Sequence, residues 1–281
     1  MCLTVAASEN TSVDSTHQIS ILTWNIKMLP RGAIFLHHHP VKRARLIPDE
    51  LMKISPDVIV FQESYDGRAI HILRKKLRPM YPYSEGFQNR KVITYKRAGG
   101  VLMFSKYPMK EIESIKYSML AGIDKPAAKG AMLVEVEHPA KKFQLMGTHM
   151  QAGHGPKIKL SEYKDAADLL KRHQTEGVPQ FACGDFNTSK SDTFLYPKLI
   201  AALKMEDGNI SSDLKFTGDH LLNDMHDYNP QKRNLIDYVF FKPNGISPTS
   251  ITRSVLRFTH QWNKKHKDLS DHFAVEMIMK L

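Results

Sequence analysis

Short apolar runs that end in a polar or charged side chain recur along this 281-residue chain. A run such as Val58-Ile-Val-Phe61 is typical of a strand that is buried on both faces of a sheet. A buried ionisable group is costly unless it is paired or bound to a metal, so we expect these polar groups to face one shared cleft. The pattern occurs at Trp24-Asn25, Phe61-Gln62-Glu63, Gly147-Thr148-His149, Gly184-Asp185-Phe186-Asn187, Ile236-Asp237-Tyr238 and Ser270-Asp271-His272.

Strand-like and helix-like segments alternate along the chain. Strand composition occurs at 19–24, 58–61, 99–104, 131–136, 143–146, 180–183, 235–241 and 273–278, and helical spacing occurs at 43–54, 68–77 and 160–173. This order predicts an α/β fold of two packed sheets flanked by helices, with the active site in loops at the strand ends. We interpret residues 1–17 as a flexible N-terminal tail and residues 18–281 as a single catalytic domain.

The chain is basic, with 40 Lys and Arg against 29 Asp and Glu and a formal net charge of +11. Such a surface attracts an anionic partner, whether nucleic acid, acidic membrane or phosphorylated small molecule, and the sign of the charge does not choose among these. The basic residues form short, dispersed clusters such as Lys42-Arg43-Ala44-Arg45 and Lys264-Lys265, which we interpret as solvated faces.

The sequence says little about the compartment. No run approaches the roughly 18 apolar residues that a membrane-spanning helix needs, which predicts a soluble or peripheral protein. Cys2 and Cys183 leave the redox environment open. The first residues are compatible with the remnant of a signal peptide, so we favour a secreted or cell-envelope location over a cytoplasmic one.

Five motifs, in order, resemble those of the endonuclease/exonuclease/phosphatase superfamily, also called the DNase I-like fold. They are Trp24-Asn25-Ile26, Gln62-Glu63, Gly147-Thr148-His149, Gly184-Asp185-Phe186-Asn187 and Ser270-Asp271-His272, and they span nearly the whole chain. Each motif alone is short and unspecific, whereas their joint occurrence in this order is a strong signal. The resemblance implies a DNase I-like four-layer α/β sandwich, with two packed mixed sheets flanked by helices, and a metal-dependent phosphodiesterase.

The residue types suit that chemistry. A hard cation such as Mg²⁺, with Mn²⁺ or Co²⁺ as alternatives, prefers oxygen ligands, and we expect Asn25, Glu63 and Asp271 to supply them. His272 is the predicted general base because imidazole titrates near neutral pH, and Asp237 would orient it.

The other predicted catalytic residues act on water and phosphate. Asp185 and Asn187 would hold the attacking water or a phosphate oxygen. His149 would donate a hydrogen bond or a proton to the phosphoryl oxygens, although the roles of His149 and His272 are interchangeable at this point.

Within the superfamily, the chain is most similar to the neutral sphingomyelinases. The resemblance implies that Lys129, Asp124 and Gln151 bind the substrate, with Lys129 and Gln151 near its phosphate. It rests on Trp24-Asn-Ile-Lys-Met-Leu-Pro30, on Gly99-Gly-Val-Leu-Met-Phe-Ser-Lys-Tyr-Pro108, on Asp124 with Lys129-Gly130, and on Met150-Gln151 after His149.

This branch implies hydrolysis of sphingomyelin to ceramide and phosphocholine at a membrane surface, and we expect a monomer. The sequence lacks the long aromatic hairpin that some toxins of the branch use to enter membranes, so we expect lipid contacts from 29–40 and 258–262. The alternatives are a nuclease, because a charge of +11 suits a nucleic acid, and a phosphoinositide phosphatase of the same fold.

Overall fold

The computed structural model describes residues 17–29, 38–86, 100–122 and 128–281. The tail proposed for residues 1–17 lies outside these ranges except for His17, so it stays a prediction, as does the single domain. The elements follow the chain as β1 (Gln18–Met28), α1 (Pro40–Ile54), β2 (Val58–Ser64), α2 (Gly67–Leu77), β3 (Tyr83–Gly86), β4 (Leu102–Ser105), β5 (Met109–Lys116), β6 (Gly130–Val136), β7 (Phe143–His149), α3 (Pro156–Arg172), β8 (Gln180–Asp185), α4 (Leu195–Leu203), β9 (Gly218–Asp219), β10 (Arg233–Asn234), β11 (Asp237–Lys242), β12 (Ser250–Leu256) and β13 (Ala274–Lys280).

Two mixed sheets form the centre of the fold. The first has the strand order β12-β13-β1-β2-β4-β3, and the second has the order β11-β8-β7-β6-β5. Each sheet contains one parallel pair, β1 with β2 in the first and β7 with β8 in the second, and its other pairs are antiparallel. The carboxyl ends of each parallel pair therefore meet at one edge of their sheet.

The side-chain alternation of the strands explains the layers. In the first sheet, Ile21 and Val60 belong to the same core as the second sheet. Leu22 and Trp24, on the opposite face of β1, pack in a second core with α1 and α2. Helices α3 and α4 cover the second sheet, so the predicted four-layer sandwich is confirmed. None of the helices in the described ranges is long and apolar enough to cross a bilayer.

The sequence patterns missed the edge strands β3, β5 and β12, the short ribbon of β9 and β10, and helix α4. Strands β5 and β12 each pair on one side only, and much of each remains partly exposed. These strands therefore contain polar side chains and lack the continuous apolar run that identifies a central strand in a sequence.

Arg43 corrects one expectation, because it is fully buried and is not part of a solvated basic face. Its guanidinium donates to the carbonyl oxygens of His38 at 2.7 Å, Ile26 at 2.7 Å, Lys27 at 2.6 Å and Leu269 at 2.8 Å. Burial lowers the pKa of Arg43 to about 10, so the group stays charged at neutral pH. One side chain of α1 thus joins the end of β1 to the segment before β13.

We predict that Arg43→Lys lowers the free energy of unfolding by roughly 2–4 kcal/mol, because a single ammonium cannot satisfy four buried carbonyl groups. The measurement is urea denaturation followed by circular dichroism. The control is Arg45→Lys on the exposed side of the same helix, expected within about 0.5 kcal/mol of the parent. Equal stability of the two variants would contradict the structural role of Arg43.

Candidate active site

One end of the sandwich collects most of the polar residues that the sequence singled out. Asn25 and Glu63 lie near the carboxyl ends of β1 and β2, and His149 and Asp185 end β7 and β8 as direct neighbours in the sheet register. Asp237 begins β11 opposite Asp185. The polar residues at the carboxyl ends of the two parallel strand pairs, one pair in each sheet, thus lie together at one end of the sandwich.

The Asp185 carboxylate lies at the centre of the cluster. Its Oδ2 atom is 3.1 Å from Asn25 Nδ2, 3.5 Å from His149 Nε2 and 3.9 Å from His272 Nε2. Asn25 Nδ2 also donates to Glu63 Oε1 at 3.2 Å. Residues separated by up to 247 positions in the chain therefore surround one carboxylate oxygen.

His272 is paired with Asp237 in the orientation that a general base requires. Its Nδ1 atom lies 2.9 Å from Oδ2 of Asp237, which is fully buried, and this leaves Nε2 on the side of Asp185. Burial alone would lower the pKa of His272, but the charges of Asp237, Asp185 and Asp271 raise it well above its usual value. Asp237 therefore holds the ring in place with Nε2 toward Asp185.

His149 has the opposite electrostatic environment. Lys129 Nζ lies 3.0 Å from its Nε2 atom and donates to the carbonyl of Met150 at 3.0 Å. Burial, then the charges of Lys129 and His272, lower the pKa of His149 well below its usual value. A neutral imidazole is a poor proton donor, so the lowered pKa favours hydrogen bonding over proton donation by His149.

Two motif glycines are required by close approach of the backbone. A Cβ atom on Gly147 would lie 2.5 Å from Met103 Cε and 2.8 Å from Val60 Cγ1, in the space between the sheets. Gly184 has φ +142°, and a Cβ atom there would lie 1.9 Å from the carbonyl oxygen of Thr148. The glycines allow the strands that carry His149 and Asp185 to pack this closely.

Asn187 supports the turn after β8. Its backbone N–H donates to Asp185 Oδ1 at 2.8 Å, and its side-chain Nδ2 donates to the Met150 carbonyl at 3.0 Å. Its φ of +47° lies in the left-handed region that asparagine tolerates better than most residues. These contacts orient Asp185, while direct contact of Asn187 with water or phosphate stays a prediction.

Of the three residues predicted to bind substrate, Lys129, Gln151 and Asp124, the structure describes the first two, which differ in where they lie. Lys129 reaches the cluster, as described above. Gln151 is fully buried, and its amide bonds both ways to the backbone of Ala121, with Oε1 accepting from N at 2.9 Å and Nε2 donating to O at 3.2 Å. Gln151 thus holds the segment before residue 123, and its phosphate contact stays a prediction. Asp124 lies outside the described residues.

Lys27 is a charged residue of the site that the sequence analysis did not identify. Its ammonium forms an ion pair with Asp271, and the pairing of β1 with β2 shifts register between Asn25 and Met28. Burial alone would raise the pKa of Asp271, but His272 and Lys27 lower it well below its usual value. The irregularity of β1 therefore turns a lysine toward the predicted metal ligands.

Glu63, Asn25 and Asp271 have the chemistry of a site for a hard divalent cation. Burial, and then the charge of Asp271, raise the pKa of Glu63, which indicates negative charge that the neighbouring side chains do not fully offset. Glu63 also has φ +56°, a strained conformation that clusters at functional sites. Carboxylate and amide oxygens are the ligands that such a cation prefers, so the predicted set fits.

A second group could also hold a cation. Asp185, Asp237 and His272 offer ligand atoms that all lie within 4.8 Å of one another. The Asp237–His272 hydrogen bond already uses one atom of each of these two residues. Proton transfer by that pair, and cation binding by Glu63, Asn25 and Asp271, therefore stay our predictions.

The expected lipid contacts at 258–262 are not available. Phe258 and Trp262 are only 9% and 7% exposed, and both belong to the core between the first sheet and its helices. Trp262 Nε1 donates to the Asp268 carbonyl at 2.7 Å. The expectation was wrong because burial of these aromatic rings depends on helices that are distant in sequence. Most of the other segment, 30–37, lies outside the described residues.

Several known proteins are similar in sequence to this chain. Residues 22–272 match the Endonuclease/Exonuclease/phosphatase family. The chain is 24% identical to a phospholipase C of Staphylococcus aureus, in a match that covers 98% of this chain and 91% of that relative. It is 25% identical to a sphingomyelinase C of Listeria ivanovii, with 91% and 84% covered.

Solved structures share its fold. The beta toxin of Staphylococcus aureus superposes with a TM-score of 0.81 at 23% identity, covering 92% of this chain and 99% of the toxin chain. Sphingomyelinase C from Streptomyces griseocarneus gives 0.79 at 21% identity, with 94% and 99% covered. A beta toxin variant has been solved with bound magnesium ions. The predictions of a DNase I-like fold and of a phosphoric diester hydrolase are confirmed, and the chain belongs to the endonuclease/exonuclease/phosphatase family.

Proposed function

We propose that this protein is a Mg²⁺-dependent phosphodiesterase that hydrolyses sphingomyelin to ceramide and phosphocholine. The observation that carries the proposal is the convergence of Asn25, His149 and His272 on one oxygen of Asp185. The sphingomyelinase C relatives, which the chain matches over most of its length, support the choice of substrate.

Water would attack phosphorus in line while the P–O bond to ceramide breaks. The leaving oxygen would take up a proton, in balance with the one that His272 removes from water, and become the ceramide hydroxyl. His272 Nε2 would take the proton from this water while Nδ1 donates to Asp237, which stabilises the imidazolium that forms. Asp185 would hold the water beside Nε2. When bound by Glu63, Asn25 and Asp271, Mg²⁺ would supply positive charge to the phosphoryl oxygens.

Lys129 and His149 would act on the other side of the phosphate. Lys129 is buried beside His149, and burial strengthens the attraction between its ammonium and the charge that develops on phosphoryl oxygens. His149, kept neutral by burial and by Lys129, would accept a hydrogen bond from the Lys129 ammonium at Nε2 and so orient that charge toward the phosphate, without competing for the proton that His272 takes.

A substrate comparison tests the proposal against a nuclease, which the charge of +11 would also suit. We expect phosphocholine release from detergent-dispersed sphingomyelin with Mg²⁺, loss of release with EDTA, and recovery when Mg²⁺ is restored. Nicking of plasmid DNA and phosphate release from phosphoinositides are measured in parallel. DNA nicking without phosphocholine release would exclude the proposed substrate.

Glu63→Gln should raise the Mg²⁺ concentration for half-maximal activity by roughly 10–100-fold. The glutamine amide has nearly the shape of the carboxylate but lacks the negative charge that binds a hard cation. Calorimetric titration with Mg²⁺ should show the same loss without any substrate. Glu137→Gln, an exposed carboxylate in the connection between β6 and β7 at the opposite end, is the control. Unchanged Mg²⁺ affinity of the Glu63 variant would place the cation elsewhere.

His272→Ala should lower kcat by roughly 10²–10⁴-fold, the usual effect of removing a positioned general base. The measurement is phosphocholine release from detergent-dispersed sphingomyelin, with thermal unfolding as the test of folding. His173→Ala is the control. This partly exposed imidazole follows the last residue of α3, at the end of the fold opposite the active site, and pairs with Glu113 of β5. Turnover retained in the His272 variant would mean that another group is the base.

A further inference from the structure

A basic loop, residues 259–267, connects β12 to the motif Ser270-Asp271-His272. Its sequence contains three lysines and two histidines and no acidic residue. The lysines, Lys264, Lys265 and Lys267, are all exposed. Within the described ranges, no carboxylate forms an ion pair with any of them. The loop therefore carries positive charge into solvent that is not offset by a direct ion pair.

The basic loop is held in one conformation by a buried aromatic anchor. Trp262 packs into the core, its ring stacks on His266 with centroids 5.2 Å apart, and its backbone N–H donates to the His266 carbonyl at 3.2 Å. The His260 N–H donates to the carbonyl of Lys267 at 2.7 Å, which closes the loop. The lysines thus project from an ordered platform, which lowers the entropy cost of binding a surface.

The basic loop lies at the active-site end of the sandwich. β12 ends beside the start of β13, where Leu256 pairs with Ala274, and the chain between them contains the loop and His272. The loop therefore leaves and rejoins the sheet at the edge that also carries His272.

A neighbouring loop adds exposed apolar groups to the same region. The Asp224 carboxylate accepts from the backbone N–H of Lys267 at 2.8 Å, which joins residues 220–229 to the basic loop. In this neighbouring loop Tyr228 is 74% exposed and Leu222 is 37% exposed. His226 Nε2 lies 2.8 Å from the Asp271 carbonyl, so this loop also borders the site.

We propose that the basic loop docks the protein on an anionic phospholipid bilayer, with Lys264, Lys265 and Lys267 attracted to the negative surface. Lysines beside an exposed tyrosine and leucine suit the boundary between headgroups and acyl chains better than a nucleic acid backbone, which offers no apolar layer. The proposal rests on the proposed function in one respect, since a sphingomyelin substrate lies in a bilayer. Docking here replaces contact by Phe258 and Trp262, which are buried.

The test compares two triple variants with the same change in charge. The first is Lys264→Gln/Lys265→Gln/Lys267→Gln. The control is Lys141→Gln/Lys142→Gln/Lys171→Gln, which changes lysines in the β6–β7 connection and near the end of α3, at the opposite end of the fold. Partitioning is measured by co-sedimentation with phosphatidylcholine vesicles, with and without phosphatidylserine, and none contains sphingomyelin.

We expect the basic-loop variant to partition roughly 10- to 100-fold more weakly than the parent onto vesicles that contain phosphatidylserine. The control variant should bind like the parent, and added salt should weaken parental binding. Equal partitioning of the two variants, or no preference of the parent for phosphatidylserine, would overturn the proposal. Binding of duplex DNA that the basic-loop variant loses, with vesicle binding unchanged, would assign the loop to nucleic acid and overturn it too.

Failure of docking and failure of the proposed function are separable. Both triple variants should release phosphocholine from detergent-dispersed sphingomyelin at the parental rate, because no lysine of the basic loop lies in the catalytic cluster. Absence of that release in the parent would reject the substrate, whereas the vesicle measurement contains no sphingomyelin and needs no turnover. Thermal unfolding of both variants checks that they are folded.

Discussion

The active site depends on four buried or nearly buried carboxylates that cannot share one cavity without positive charge nearby. Glu63, Asp185, Asp237 and Asp271 meet there, and a buried charge without a partner would cost several kcal/mol. Protein cations offset part of this charge: His272 is bonded to Asp237, and Lys27 is paired with Asp271. The pKa of Glu63 remains raised by burial and by Asp271, and a bound divalent cation at that position would complete the balance.

This charge balance requires the two sheets to be held in a fixed relation. Gly147 lets the strand that carries His149 approach Val60 of the opposite sheet. Arg43 acts at the other side of the site, where it ties the carbonyl groups of Ile26 and Lys27 to that of Leu269. Segments that supply Asn25 and His272 are therefore connected through the backbone as well as through their side chains. Positioning of the chemistry and stability of the fold depend on the same contacts.

The buried lysine of the active site and the exposed lysines of the basic loop differ in how strongly solvent screens their charge. Inside, Lys129 is buried beside His149, and desolvation makes both groups sensitive to the charge of a bound phosphate. Outside, the lysines of the basic loop are solvated and act only over roughly a Debye length, about 8 Å at physiological salt. If both proposals hold, the net charge of +11 combines a lysine that acts on the substrate phosphate with lysines that attract a membrane, and the composition cannot separate the two.

The sequence by itself determined the central strands, the order of the motifs and the residues that end each strand, because strand periodicity and motif spacing are local properties. It also identified every member of the cluster around Asp185. Tertiary structure alone decided that Arg43 and Trp262 are buried, that Lys27 meets Asp271, and that Gln151 bonds to Ala121. Each of these depends on partners from distant segments, and the cost or gain of burying a side chain is set by those partners rather than by its sequence neighbours.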